Sequence, residues 1–421
     1  MSHYVIIGSG NAGVTAAETI REHDKKSKIT LINGESKRFY FRSSLLNYVK
    51  GEVKEEELLA RPKKFYQLKN IDLLDNIRAQ KIVPETKQVI IDKDNIIKYD
   101  KLLIATGAVP VFPDIKGTEL RGVKTCRSFA DVQEIIGLAK HSRNVVIVGG
   151  GILGIELAYS LSKLNNRVTL LESETRLGGK LLDPCTAIRV LEELGKKHIA
   201  VRLKEGAKEL RGKEDHVSEV RTSKGKILKT NLVIFCTGIR PNVRFLHGSG
   251  LEIDKGILVD NTLRTNDVNI FAAGDVAQVN VAEKGEHVLR QNWYESAKMG
   301  EVAALNMIGE SATYYPAVRY HCTNILDIPY ACIGELSPKS KLRKEYEVIH
   351  SNCKKTDDHK LFILKKNRII GASFFGERNS ALAVKELAEK NVDVGGAKRS
   401  FLEHNFDFEN LLPRISEEKE D

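Results

Sequence analysis

Gly8, Gly10 and Gly13, spaced Gly-x-Gly-x-x-Gly, follow the apolar run Tyr4-Val-Ile-Ile7 and precede an alanine-rich segment of helical character. That order predicts a buried strand, a tight turn and a helix. The three glycines have separate roles, since Gly8 permits the sharp turn, Gly10 lets backbone N–H groups approach a pyrophosphate, and Gly13 lets helix and strand pack closely. The chemistry is therefore anion binding, with the helix N-terminus supplying partial positive charge to paired phosphates. A carboxylate should follow roughly 20 residues on, to meet a ribose hydroxyl pair. After the apolar run Lys28-Ile-Thr-Leu-Ile32 the usual acidic place is filled by Asn33, so Glu35 is expected to take that role.

The same pattern begins again near Arg143. Asn144-Val-Val-Ile-Val148 leads to Gly149, Gly151 and Gly154, then Glu156, and a second run, Arg167-Val-Thr-Leu-Leu171, ends at Glu172. Strand, glycines, helix, strand and acid recurring in one order is an internal repeat, and it predicts two dinucleotide sites. Glu172 stands where a carboxylate accepts hydrogen bonds from a 2′-hydroxyl and repels a 2′-phosphate. NADH is thereby expected over NADPH, a preference that nearby Arg176 would weaken.

The elements that must position these residues are legible in outline. Phe39-Tyr-Phe-Arg-Ser-Ser-Leu-Leu-Asn-Tyr48 follows the first unit and would bring the Arg42 guanidinium near diphosphate oxygens. Short apolar runs at Ile82-Val83 and Val89-Ile-Ile91, broken by Pro84, predict an inserted β-meander. Lys101-Leu-Leu-Ile104 and Leu232-Val-Ile-Phe235 read as buried strands, the first ending at Ala105-Thr106-Gly107. Asn269-Ile-Phe-Ala-Ala-Gly274-Asp275 places one carboxylate on a small-residue turn that a ligand can approach closely. A helical stretch is expected from Val276 to about Gly309, carrying Trp293, the only tryptophan. Beyond Pro316 the runs at Glu345, Lys360 and Arg368 predict an antiparallel sheet, followed by a helix near Ser380–Lys390 and a fraying acidic tail.

A length of 421 residues allows two to three domains, and a hydrophobic fraction of 42% is ordinary for a soluble globular chain. No apolar run of about 18 residues exists to span a membrane. The first strand begins at once, leaving no room for a signal peptide, so a cytoplasmic protein is expected. The six cysteines, Cys126, Cys185, Cys236, Cys322, Cys332 and Cys353, form no C-x-x-C and no metal-ligand spacing; they read as reduced thiols, and no metal site is expected. The net charge of +10 suits an acidic partner. The basic residues are scattered, the densest group being Lys339 to Lys344, so a nucleic-acid surface is not expected.

The chain resembles the FAD- and NAD(P)-dependent pyridine nucleotide-disulfide oxidoreductase superfamily. The resemblance rests on both glycine motifs, Ala105-Thr-Gly107, Cys236-Thr-Gly-Ile-Arg-Pro-Asn242 and Ala272-Ala-Gly-Asp275. Within it, Phe39-Tyr-Phe-Arg-Ser-Ser-Leu-Leu and Trp293-Tyr-Glu-Ser-Ala-Lys-Met-Gly are most similar to NADH:rubredoxin reductases and the flavin-binding part of assimilatory nitrite reductases. The resemblance implies an α/β fold of two Rossmann-like dinucleotide-binding domains: an FAD domain at 1–118 and 245–314, and an NAD(H) domain inserted at 119–244. A C-terminal α+β domain at 315–421, often used for dimer contacts, would complete it and allow a homodimer. It further implies that Gly8, Gly10 and Gly13 cradle the FAD diphosphate, Glu35 the adenosine ribose, and Gly274 and Asp275 the ribityl chain. Arg42, Ala79, Thr106, Gly107 and Arg127 would line the same cofactor. Gly149, Gly151, Gly154 and Glu172 would hold NADH, with Glu156 orienting the nicotinamide amide, Gly238 bordering its channel and Trp293 placed beside an aromatic ring system.

Departures from the family pattern set the reaction expected. The redox cysteines of disulfide reductases are missing; one branch uses a cysteine near Ser43-Ser44, and serine can form neither a mixed disulfide nor a thiolate. No siroheme or iron–sulfur domain is expected, and with it no nitrite reduction. The expected activity is NADH oxidation through FAD toward an external acceptor: a small acidic carrier such as rubredoxin or ferredoxin. One alternative is an NADH oxidase making peroxide from oxygen; another is an NADH-responsive binding or signalling flavoprotein, as in the more distant apoptosis-inducing factor. The tail after Phe408 is a poor membrane anchor.

Overall fold

The computed structural model describes all residues except 63, 92–94, 282–285, 338–344, 352–357, 404 and 414–421. The basic group at 339–344, Cys353 and the acidic tail lie outside the described residues. The chain forms two compact units, one of Met1–Pro113, Thr125–Leu138 and Thr237–Pro316, the other of Asp114–Lys124, Ala139–Cys236 and Ala317–Asp421.

The first unit is built on a five-stranded parallel sheet in the order Ile270–Ala272, Lys101–Ile104, His3–Ile7, Lys28–Asn33, Asp72–Asp75. Val5, Ile6, Leu31 and Leu102 to Ile104 are buried, as strands covered on both faces require. The Asn11–His23 helix crosses between the first two strands, and the Trp293–Ile308 helix lies against it. Their approach depends on Gly300, where a methyl group would sit 2.2 Å from the Ala12 carbonyl oxygen. The expected meander is present as antiparallel strands Lys81–Val83, Gln88–Ile90 and Ile96–Lys98.

One expected element is wrong. The stretch from Val276 is not helical at first: Ala277–Val281 and Glu286–Leu289 are strands, and the helix begins only at Trp293. Ala277-Gln-Val-Asn-Val281 puts Val279 in the core and pairs with Ile257–Val259, while Asn292 caps the helix by accepting from Glu295 N–H at 2.9 Å.

The second unit repeats the parallel arrangement, with strands Ala200–Leu203, Arg167–Glu172, Asn144–Val148 and Leu232–Phe235 side by side. It also holds a three-stranded antiparallel sheet of Ala207–Lys213, His216–Thr222 and Ile227–Lys229, and a five-stranded antiparallel sheet in the order Tyr320–Ile325, Ile328–Gly334, Arg368–Phe375, His359–Lys365, Tyr346–His350. One face of the five-stranded sheet packs Phe362 and Phe374 against the Ala381–Glu389 helix, Phe401 and Phe408. Phe408 is a core residue. No helix of the described residues is long and apolar enough to cross a membrane.

Candidate functional site

The first glycine motif forms the turn that its spacing predicts. Gly8 has φ of 111°, and a methyl group there would lie 2.2 Å from the Ala105 carbonyl oxygen. Gly13 packs so closely that its methyl would be 1.9 Å from the Gly8 carbonyl oxygen. Gly10 faces open space, with no atom within 4 Å of an added methyl. It opens the Asn11–His23 helix, whose N-terminus has no side-chain cap and no acid in its first turn. Donors left uncapped behind an open glycine suit an incoming anion.

Other elements converge on this turn. Gly274, at φ 79°, brings the Gly274–Val276 turn beside Ala12 and Ser296. Asn11 donates from Nδ2 to the Trp293 carbonyl at 2.6 Å, tying the starts of the two helices together. Trp293 stacks on Phe39 with centroids 5.5 Å apart and 9° between planes, and it meets Phe41 at 5.5 Å. Arg127 donates from Nη2 to Asp275 Oδ2 at 2.8 Å. Gly107, at φ 67°, faces the Arg127 guanidinium, and Thr106 Oγ1 donates to the Asn242 carbonyl at 3.0 Å. Ala79 is partly buried against the same core.

The displaced acid is explained by Asn33. Its Oδ1 accepts from Ser9 Oγ at 2.7 Å, and its Nδ2 donates to the Glu35 carbonyl at 3.0 Å and Asp75 Oδ1 at 3.1 Å. An amide, donating and accepting at once, organises a turn that a carboxylate could not. Glu35 is then clasped by Arg42 Nη2 and by Tyr40 O–H, the latter at 2.7 Å. Burial opposes the Arg42 charge, yet Glu35 and Tyr40 together raise its pKa. Burial likewise pushes the Tyr40 phenol up, which keeps it a neutral donor.

The second motif has the same geometry. Gly149 has φ of 111°, a methyl on Gly154 would lie 1.9 Å from the Gly149 carbonyl oxygen, and Gly151 faces open space. The Ile152–Lys163 helix also starts with no side-chain cap and no acid in its first turn. Glu172 occupies the end of its strand and accepts from Gly150 N–H at 2.6 Å and Glu174 N–H at 2.8 Å. Arg176 donates to the Leu182 carbonyl and, at 3.3 Å, to Ser337 Oγ. Glu156 is buried and accepts from Leu326 N–H at 2.6 Å. Gly238, at φ 104°, belongs to the first unit, where its carbonyl accepts from Val111 N–H at 3.0 Å.

The thiols need one correction. Cys185 is disulfide-bonded, whereas Cys126, Cys236, Cys322 and Cys332 are free. Such pairing is made by approach in space, which cysteine spacing along the chain does not reveal. Burial pushes the Cys126 thiol up to about 12 and that of Cys332 up to about 11, so both are held as unreactive thiols near neutral pH. Asp183, Cys185 and His359 bring ligand-type atoms within 4.8 Å of one another. Five donors already engage the Asp183 carboxylate: the N–H groups of Cys185 and Thr186, the hydroxyls of Thr186 and Ser373, and His359 Nε2. The cluster is a structural hub. Sequence reasoning did not single out Gly300, Tyr40, Leu326 or Asp183; a glycine inside an alanine-rich helix was the one available signal.

Two parallel sheets thus each carry a helix opened by a glycine and left without a side-chain cap, the arrangement of a dinucleotide-binding fold. The chain belongs to the pyridine nucleotide-disulphide oxidoreductase family, which it matches over residues 2–300. It is 30% identical over 393 residues to the nitrite reductase [NAD(P)H] of Bacillus subtilis strain 168, covering 93% of this chain but only 47%, about half, of that protein. It is 30% identical over 349 residues to the NADH oxidase of Methanocaldococcus jannaschii, covering 81% of this chain and 78% of the relative. Against the rubredoxin-NAD(+) reductase of Pseudomonas putida it is 29% identical over 308 residues, 73% of this chain and 80% of the relative.

Proposed function

We propose that this protein is an NADH-oxidising flavoprotein that holds FAD in the first cradle, takes NADH in the second and reduces a small external electron carrier. The observation that carries the reading is the duplicated cradle: an open glycine before an uncapped helix, once in each unit. FAD, when bound, supplies the exchange between a two-electron hydride donor and single-electron acceptors. Gly10 would leave room and backbone donors for its diphosphate on the turn that Gly8 and Gly13 close, and the Arg127–Asp275 pair offers a charged donor and an acceptor for polar groups of the chain beyond it. Glu35, steadied by Arg42 and Tyr40, offers carboxylate oxygens to ribose hydroxyls. Ala79, Thr106, Gly107 and Gly274 would line the flavin, while Trp293 extends an aromatic surface through Phe39 and Phe41.

For NADH, Gly149, Gly151 and Gly154 would take the diphosphate and Glu172 the adenosine ribose. Arg176, engaged by Leu182 and Ser337, is turned to other partners than a 2′-phosphate, which supports NADH over NADPH. Glu156 would orient the nicotinamide amide, and Gly238 would border its channel. The functional partition proposed is 1–118 with 245–314 for FAD, 119–244 for NADH, and 315–421 for self-association. Serine at both Ser43 and Ser44, with Cys126 and Cys332 unreactive, argues against disulfide reduction. The rubredoxin reductase relative favours a rubredoxin-like acceptor; the NADH oxidase relative favours oxygen as a second reading.

The deciding measurement is NADH oxidation by the FAD-loaded protein, in air and again without oxygen but with rubredoxin. Slow turnover in air with strong stimulation by rubredoxin supports the carrier reductase. Fast turnover in air alone establishes the oxidase instead, and turnover with neither acceptor overturns both.

A further inference from the structure

We propose that the tip of the hairpin joining Tyr320–Ile325 to Ile328–Gly334 is a positioning device that sets the Glu156 carboxylate for the nicotinamide end of NADH. The inference rests on the reading of Glu156 as the nicotinamide-orienting acid and adds what fixes that acid in place.

Three side chains on one stripe of the Ile152–Lys163 helix, Glu156, Tyr159 and Lys163, meet the two tip residues of the hairpin. Glu156 accepts from Leu326 N–H at 2.6 Å; Tyr159 donates from its hydroxyl to Asp327 Oδ2 at 2.6 Å, and Lys163 pairs with the same oxygen at 3.1 Å. The helix thus grips the tip at both residues, and the contact nearest the Gly151 end of the helix is the buried one.

The tip itself is costly to make. Leu326 and Asp327 form a two-residue turn between the paired Ile325 and Ile328, with φ of 54° and 68°. Turns of this kind favour asparagine, aspartate or glycine, and a bulky leucine in the left-handed region is strained. Leu326 is nonetheless buried. Strain that persists in a buried turn is held there by its surroundings. Here it aims one main-chain N–H at one carboxylate. A main-chain donor on a rigid hairpin fixes a carboxylate more firmly than a solvated side chain would, because no rotamer freedom is lost on holding it.

The test uses the FAD-loaded protein and compares binding of NAD+ with binding of ADP-ribose, which fills the same cradle without a nicotinamide. Tyr159→Phe, which removes one hydrogen bond, and Asp327→Ala, which removes that bond and the Lys163 contact, are expected to weaken NAD+ binding about three- to tenfold, while ADP-ribose binding stays within about twofold. Asp327→Asn, which still accepts from Tyr159, is expected to restore most of the loss. Glu156→Gln is measured alongside and should show the same selectivity for NAD+. If Glu156→Gln discriminates between the ligands but the tip variants move both equally, or neither, the hairpin does not position the acid and the proposal falls. If Glu156→Gln itself fails to discriminate, the nicotinamide reading of Glu156 falls, and the positioning role with it.

Discussion

Gly10 and Gly13 are three residues apart and meet opposite surroundings, a methyl on Gly13 lying 1.9 Å from the Gly8 carbonyl oxygen and one on Gly10 meeting nothing within 4 Å. The same substitution should therefore fail in two different ways. Gly13→Ala must push a helix off a strand and is expected to destabilise the apoprotein by about 1–3 kcal/mol. Gly10→Ala should leave apoprotein stability within about 0.5 kcal/mol, because it fills only space kept for a ligand. It should nonetheless lower FAD content sharply, since the methyl stands where backbone donors must approach a diphosphate. Melting temperature with and without FAD, and flavin absorbance per protein, separate the two; equal destabilisation of both apoproteins would sink the argument. Glycine roles were legible because spacing alone dictates them. The roles of Asn33 and Tyr40 were not, since a side chain that donates and accepts in several directions declares itself only when its partners are assembled around it.

At the scale of elements, strands showed themselves wherever apolar runs were short and bounded, and the antiparallel sheet past Pro316 was readable from the runs at Glu345, Lys360 and Arg368. Where a polar residue is buried, reading fails: Gln278 sits inside the strand at 277–281, accepting from the N–H groups of Lys255 and Gly256, so the stretch looked helical. The Asp183 hub was hidden for the same reason. Asp183 caps the Pro184–Lys196 helix and also receives His359 and Ser373 from the antiparallel sheet, so one carboxylate ties helix to sheet. Burial pushes its carboxyl up, but His359 and Thr186 bring it down to about 2, below the ordinary carboxylate value. A depressed folded pKa gives stability that is present above the unfolded value, near pH 4, and lost as pH falls toward 2. Asp183→Ala, which leaves those donors buried without an acceptor, is expected to cost about 3–5 kcal/mol at neutral pH. It should also flatten the loss of stability between pH 4 and pH 2. Urea unfolding of both proteins across that range is the check, and an unchanged pH slope would show that Asp183 is not the group titrating.

For the whole molecule, the charge balance bears on how an acceptor arrives. A net charge of +10 would attract an acidic carrier of the kind proposed and draw it in from beyond contact distance, raising the rate of encounter. That attraction is screened by salt, because the Debye length falls from about 30 Å at 0.01 M to about 10 Å at 0.1 M. The second-order rate of reduction of an acidic rubredoxin should accordingly fall by about tenfold over that interval, by the usual scale of electrostatic steering. A neutral quinone used as acceptor feels no such field, and its rate should stay nearly flat. NADH is anionic, so it must be held saturating throughout; otherwise a weakened supply of substrate would mimic a weakened encounter with the carrier. The comparison of the two acceptors isolates the encounter, since every step from NADH onward inside the protein is common to both. Parallel salt curves would mean that the positive charge plays no part in acceptor choice, and the carrier would have to be recognised by shape at a surface where charge is balanced.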